Sequence, residues 1–204
     1  MSSRLAADLR AAILRGDMAP GEKINLDRLR AAQDVSISPL REAVARLACD
    51  GLVEFEDQKG FRVAPVSASN LDEVTRMRAA LEGMALAESV ARGSLDWESD
   101  VMRALHVLEH TDRMASEAWE AAHTEFHLAL IRGCDMPHLL RVCATLQDMT
   151  DRYRRLFPPG HGLPDDHAAI AHAATARRGP EAERLLQDHI RATGAALRER
   201  MAAG

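Results

Sequence analysis

The sequence predicts a mainly α-helical chain in two parts: three helices and a β-hairpin first, then a six-helix antiparallel bundle. Three observations carry this reading. Ala, Leu, Arg and Glu dominate the 204 residues while aromatics make up only 3%, so helix-favouring side chains outweigh sheet-favouring ones. Only one stretch alternates with period two, "LVEF" at 52–55 and "FRV" at 61–63, and the intervening "EDQKG" closes a hairpin with Gly60 in its turn. Finally, "APVSASN" at 64–70 has the composition of a linker.

The helical patterns follow in order. Residues 3–16 place Leu5, Leu9, Ile13 and Leu14 on one face, and further patterns run over 26–33 and 38–49. In the third, Ser38 is the expected cap and Pro39 the first helical residue, where a missing N–H costs nothing. Leu40, Val44 and Leu47 share its buried face, Arg41, Ala45, Ser36 and Ser38 point away, and Gly51 ends it. Asn70 and Glu73 form a capping box that opens the second part, giving a first domain over 1–66, a linker over 67–70 and a second domain over 71–204. Six helical patterns then run over 70–91, 96–114, 116–132, 136–157, 165–178 and 181–201. Short loops between long helices favour antiparallel neighbours, hence a bundle.

Charge and cysteines bound the function classes. The net charge is −5, and residues 1–66 hold 10 Lys/Arg against 10 Asp/Glu, so no domain carries the broad basic surface usual in nucleic-acid binders. Any DNA-binding charge must therefore be placed locally. The N-terminus lacks a secretory apolar region, and no apolar run approaches the roughly 18–20 residues of a spanning helix, so a cytoplasmic protein with no membrane partner is expected. Cys49, Cys134 and Cys143 are odd in number and form no C-x-x-C, which reads as buried free thiols in a reducing compartment.

A short helix with small residues at its outer start and one arginine there suits a major groove: the backbone can approach the duplex, and Arg41 can reach a phosphate or a guanine edge. Gln58, Lys59 and Gly60 would form a wing against the DNA backbone or the minor groove. Periodicity alone is equally met by a plain three-helix packing unit. Among nine histidines, His123 and His127 lie at i and i+4 beside Phe126 and Leu130, hence on an inward face where both can ligate one ion. His106 and His110 share that spacing but sit beside Glu109 and off the apolar stripe, as a solvated pair would. "HTEFH" is neither H-E-x-x-H nor H-x-x-E-H, so the general base of a metallohydrolase is missing; a metal-dependent helical enzyme using the histidines and Glu125 is the alternative function.

Residues Gly16 to Val66 resemble the winged helix-turn-helix of GntR-family bacterial transcription regulators. The family reads G-x-x-x-P-G, then V-S-R-T-P-V-R-E-A-L, then L-x-x-x-G-L-V; Gly16, Pro20, Gly21, Val35, Ser36, Pro39, Arg41, Glu42, Ala43, Leu47, Gly51, Leu52 and Val53 match in order. The resemblance implies DNA contacts by Ser36, Ser38, Arg41, Lys59 and Gly60. Two positions depart: Ile37 stands where an arginine is usual, and Asp34 replaces the usual turn glycine.

Residues 70 to about 195 are similar to the FCD-type helical domain of that family, which carries D-x-x-F-H-x-x-L, a later H-x-x-I and a histidine in its last helix. "HTEFHLAL", "DDHAAI" and "LLQDHIRA" occur here in that order. The resemblance implies a divalent metal on His123, His127, His167 and His189, with His123 in the position of the usual aspartate. An all-imidazole set suits Zn²⁺ or Ni²⁺ better than harder ions. It also implies an effector contact by Arg78 with a small carboxylate, and a homodimer on a palindromic double-stranded operator, acting as a repressor that this acid releases. In "DRYRRLF" Tyr153 falls on the inward stripe with Met149 and Leu156, and Arg152 lies near it, which makes both further effector-contact candidates. At Arg78 the residues alone equally allow an exposed ion pair with Glu82 at i+4.

Overall fold

The computed structural model describes residues 2–112, 116–158 and 166–203. The chain divides into two compact units, one of residues 1–67 with 152–158, the other of 68–151 with 159–204.

In the first unit, α1 (Ser2–Arg15), α2 (Leu26–Gln33) and α3 (Ile37–Cys49) precede the antiparallel strands β1 (Val53–Glu56) and β2 (Gly60–Val63). Leu5, Leu9 and Ile13, one turn apart on α1, meet Leu40, Val44 and Leu47 of α3, and Leu52, Val53 and Val63 close the core below them. The hairpin pairs Val53 with Val63 and Glu56 with Gly60; a left-handed backbone at Gln58 (φ 62°) and Gly60 (φ 89°) closes its tip. Residues 21–24 add a rung the sequence pattern did not show: Lys23 bridges Arg62, and Ile24 N–H donates to the Phe61 carbonyl at 2.9 Å.

Two local expectations change. Helix α3 begins at Ile37 with Ser36, not Ser38, in the cap position, and the Ser36 side chain makes no capping hydrogen bond. Pro39 therefore sits third in the helix, still inside the first turn where its lost donor is harmless. Cys49 is exposed at the end of α3, whereas Cys134 and Cys143 are buried as expected. Its position after Leu47 on a 3.6-residue period carries it round to solvent.

Asp34, in the turn between α2 and α3, has φ 49° and ψ 49°. That left-handed geometry explains why glycine suits the position, since a side chain there is strained by about 1–2 kcal/mol while glycine costs roughly 0.5–1 kcal/mol in unfolded-chain entropy. Asp34→Gly is expected to raise the urea midpoint of the protein, by a net of about 0.5 kcal/mol or more.

The second unit contains α4 (Ala68–Arg92), α5 (Leu95–His110), α6 (Ser116–Arg132), the greater part of α7 (Pro137–Leu156), α8 (His167–Thr175) and α9 (Gly179–Ala203). Helix α4 starts at Ala68, so Asn70 lies inside the first turn rather than at the cap. Helix α5 ends at His110; residues 113 and 114 of its expected extent, and residue 165 of that of α8, lie outside the described residues. Helix α4 packs along α9, and glycine allows the close approach: a Cβ on Gly194 would come within 2.5 Å of Thr75 Oγ1. Phe126, Leu130 and Ile131 of α6 fill the core with Ile170 of α8 and Leu186 and Ile190 of α9. Trp97 donates its indole N–H to the Ala129 carbonyl at 3.0 Å, tying α5 to α6. Among the described residues no helix is long and apolar enough to cross a membrane.

Candidate metal centre and nucleic-acid interface

The four histidines named from the sequence converge. His123 and His127 come from consecutive turns of α6, His167 from the first residue of α8 and His189 from the middle of α9. Each is at most 4% exposed. One donor atom from each lies within 4.8 Å of the others, and the ring centroids of His167 and His189 are 4.6 Å apart. Metal–imidazole bonds of about 2.0–2.1 Å set tetrahedral nitrogens roughly 3.4 Å apart, so a small contraction would close the set on one ion. The donor chemistry fits a divalent metal of borderline softness, because neutral imidazole presents a lone pair and carries no charge to repel its neighbours. Phe126 edges onto both His127 and His167, at 5.7 and 5.3 Å, and Trp119 lies 4.9 Å from His123, so apolar rings surround the set.

Beside it runs a buried polar chain that the sequence showed only in part. Arg78 Nε donates to Glu82 Oε1 at 2.6 Å and Nη2 to Oε2 at 3.1 Å. The i,i+4 pair is therefore formed, but both side chains are at most 3% exposed, so it is no surface bridge. Arg78 also donates to Gln147, Gln147 donates to Asp151 at 3.3 Å, and Thr124 donates to Asp151 at 2.5 Å. Gln147 and Asp151, four apart on α7, were the legible signal for this chain. Cys143 lies in the same core; burial, with Glu82 adding, pushes its thiol up to about 12, which leaves it unreactive.

Arg152 and Tyr153, expected beside the effector, are turned to residues 64–67 and grouped with the first unit. Arg152 donates to the Ala64 carbonyl, and the Tyr153 hydroxyl donates to the Ser67 carbonyl and accepts from its N–H, each at 3.1 Å. The polar tips of this part of α7 thus serve the chain after the hairpin, and only Arg78 of the three expected residues lies in the bundle's polar chain. His106 and His110 are exposed as expected, with ring centroids 4.0 Å apart. Glu125 gives no base to the enzyme reading: hydrogen bonding by Arg132 holds its carboxyl below the usual range.

In the first unit Ser36, Ser38 and Arg41 are exposed at the start of α3, and Lys59 and Gly60 sit at the hairpin tip. Lys59 is 71% exposed and pairs with Glu56 at 2.9 Å, so the wing's cation is partly compensated within the hairpin. Glu42 pairs with Arg46 at 2.6 Å, one turn along the same helix. Among the described residues, Arg41 on the presenting turn of α3 is exposed and forms no ion pair. With Ile37 in place of a base, the salt dependence of DNA binding should be shallow; Ile37→Arg is expected to steepen the log–log slope by about 0.9 per phosphate newly neutralised, read from binding isotherms at several salt concentrations.

A winged helix-turn-helix unit, with a helical bundle enclosing a cluster of buried histidines, defines a two-domain DNA-binding transcription regulator. Residues 1–63 match the family model of bacterial regulatory proteins, gntR family, and residues 73–192 that of the FCD domain. The chain belongs to the GntR family of bacterial transcription regulators and carries an FCD domain. It is 32% identical over 192 residues to the HTH-type transcriptional repressor GlaR of Escherichia coli (strain K12), with 87% of each chain covered. It is also 32% identical over 202 residues to the HTH-type transcriptional regulator BphR of Paraburkholderia xenovorans (strain LB400), covering 94% of this chain and 82% of that one. The crystal structure of a GntR regulator from Rhodococcus sp. RHA1 superposes with a TM-score of 0.79 at 25% identity, covering 100% and 98% of the two chains. E. coli McbR/YncC shares the fold with a TM-score of 0.81 at 20% identity, covering 98% of each chain. The relatives are regulators and not enzymes, in agreement with the missing base.

Proposed function

We propose that the protein is a homodimeric repressor that leaves a palindromic operator when a small organic acid binds at a metal centre in its bundle. His123, His127, His167 and His189 would hold Zn²⁺ or Ni²⁺, and the metal supplies a Lewis-acidic position for the acid's carboxylate. The observation that carries the reading is the convergence of four buried imidazoles whose donor atoms lie within 4.8 Å. Repression is supported by the likeness to GlaR, which is named a transcriptional repressor. Paired half-sites follow from the two-fold symmetry of a dimer. Arg78 enters through Glu82: its guanidinium is already engaged by a carboxylate and a glutamine, so an acid reaching it must displace Glu82.

Ligand control requires that the acid bind the operator-competent and operator-incompetent states unequally. The test uses metal-loaded protein on DNA selected from a random pool, with anisotropy measured against a panel of small mono- and dicarboxylates. At least one acid should release the DNA at saturation. Unchanged affinity across the panel would overturn control by acids, while a sedimenting monomer on the selected DNA would overturn the dimer.

A further inference from the structure

We infer that Glu82 is the positioning residue of the metal centre, holding His127 through Nδ1 so that it ligates through Nε2. This rests on the metal reading above and adds to it a group outside the four histidines. Glu82 Oε2 lies 3.7 Å from His127 Nδ1, with both side chains 2% exposed. That is just beyond hydrogen-bond distance, so the small contraction that would close the four imidazoles on an ion would also bring the Nδ1–H of His127 onto the carboxylate, with Nε2 turned to the ion. Carboxylates in this relation fix the tautomer and ring orientation of a ligating histidine and raise its basicity.

Glu82 is itself held where this role needs it. Arg78 grips Oε1 tightly, at 2.6 Å, and Oε2 more loosely, at 3.1 Å. The oxygen nearer His127 is thus the one with acceptor capacity to spare. Gln147 accepts from the same Nη2 of Arg78, so the carboxylate cannot swing without disturbing a network that joins α4 to α7. This arrangement also accounts for the substitution at 123: the four converging ligands include no carboxylate, and the nearby one stands a step outside them, where it offsets positive charge without occupying a coordination position.

The test measures Zn²⁺ affinity of the full chain by competition with a chromophoric chelator. Glu82→Gln keeps the shape and removes the charge, and should weaken zinc binding by about 10- to 100-fold. The same change in a His127→Ala background, whose residual weak affinity is read with a weaker chelator at higher zinc, should cost nothing further, because Glu82 acts through that ring. In ¹⁵N-resolved histidine spectra of the zinc-loaded wild type, His127 should keep its proton on Nδ1. Should Glu82→Gln fail to fold with Arg78 left uncompensated, Arg78→Met combined with Glu82→Gln removes both charges and is read the same way. Wild-type uptake with an undiminished affinity in these variants, an equal loss without His127, or zinc on Nδ1 would each overturn the assignment alone. A wild-type chain that takes up no zinc would overturn the metal reading and this assignment together.

Discussion

His127→Ala is expected to reduce bound metal from about one ion per chain to a trace after chelator washing, measured by elemental analysis beside the wild type and His123→Ala. The argument is one of donor count in a closed pocket. His127 supplies one of four converging nitrogens and is 2% exposed, so neither water nor a surface side chain can take its place at low cost. The loss has a thermodynamic counterpart. Saturating zinc should stabilise the wild type by about 2.7 kcal/mol at a hundredfold excess over Kd and leave the variant's melting temperature unmoved. A variant that retains stoichiometric metal, or a wild type that takes up none on reconstitution, would overturn the four-histidine centre.

The second large effect concerns DNA. Arg41→Ala should weaken operator binding by about 1–3 kcal/mol, or roughly 5- to 150-fold, with the circular dichroism spectrum, melting temperature and metal content unchanged. Arg41 is exposed on the first turns of α3, to the side of the buried stripe of Leu40, Val44 and Leu47, so its removal opens no cavity. The neighbouring cations are already partnered, Lys59 by Glu56 and Arg46 by Glu42, which leaves Arg41 to carry more of the contact than it would in a more basic domain. Equal affinity of the variant and the wild type at every salt concentration would remove α3 from the interface.

Helix periods made much of this legible. Leu5, Leu9 and Ile13 on α1 and Phe126 and Leu130 on α6 are spaced by the turn of the helix, and the structure buries all of them. The i,i+4 spacing of His123 and His127 likewise placed both rings inward, whereas the equally spaced His106 and His110 lie in solvent because their face carries no apolar stripe. What misled was local and nearly degenerate. Ser36 and Ser38 are both capable caps, and the choice between them depends on where the chain leaves the left-handed Asp34. Asn70 reads as a cap, yet α4 has already begun at Ala68.

By itself, then, the sequence determined the order of elements, the faces that become cores, and the four histidines that gather, because each depends on spacing along one helix or on a motif of fixed length. Only the tertiary structure decided which polar groups meet across helices. Arg78 and Glu82 read as a surface pair until α6 and α7 cover them, and Gln147 and Asp151 find partners on α4 and α6 that their own helix does not reveal. Arg152 and Tyr153 lie on the stripe expected to face the bundle, but their hydrogen bonds go to Ala64 and Ser67. The physical reason is that a helix period fixes the direction of a side chain about its own axis, whereas its partner, and the dielectric in which the pair sits, are set by helices distant in the chain.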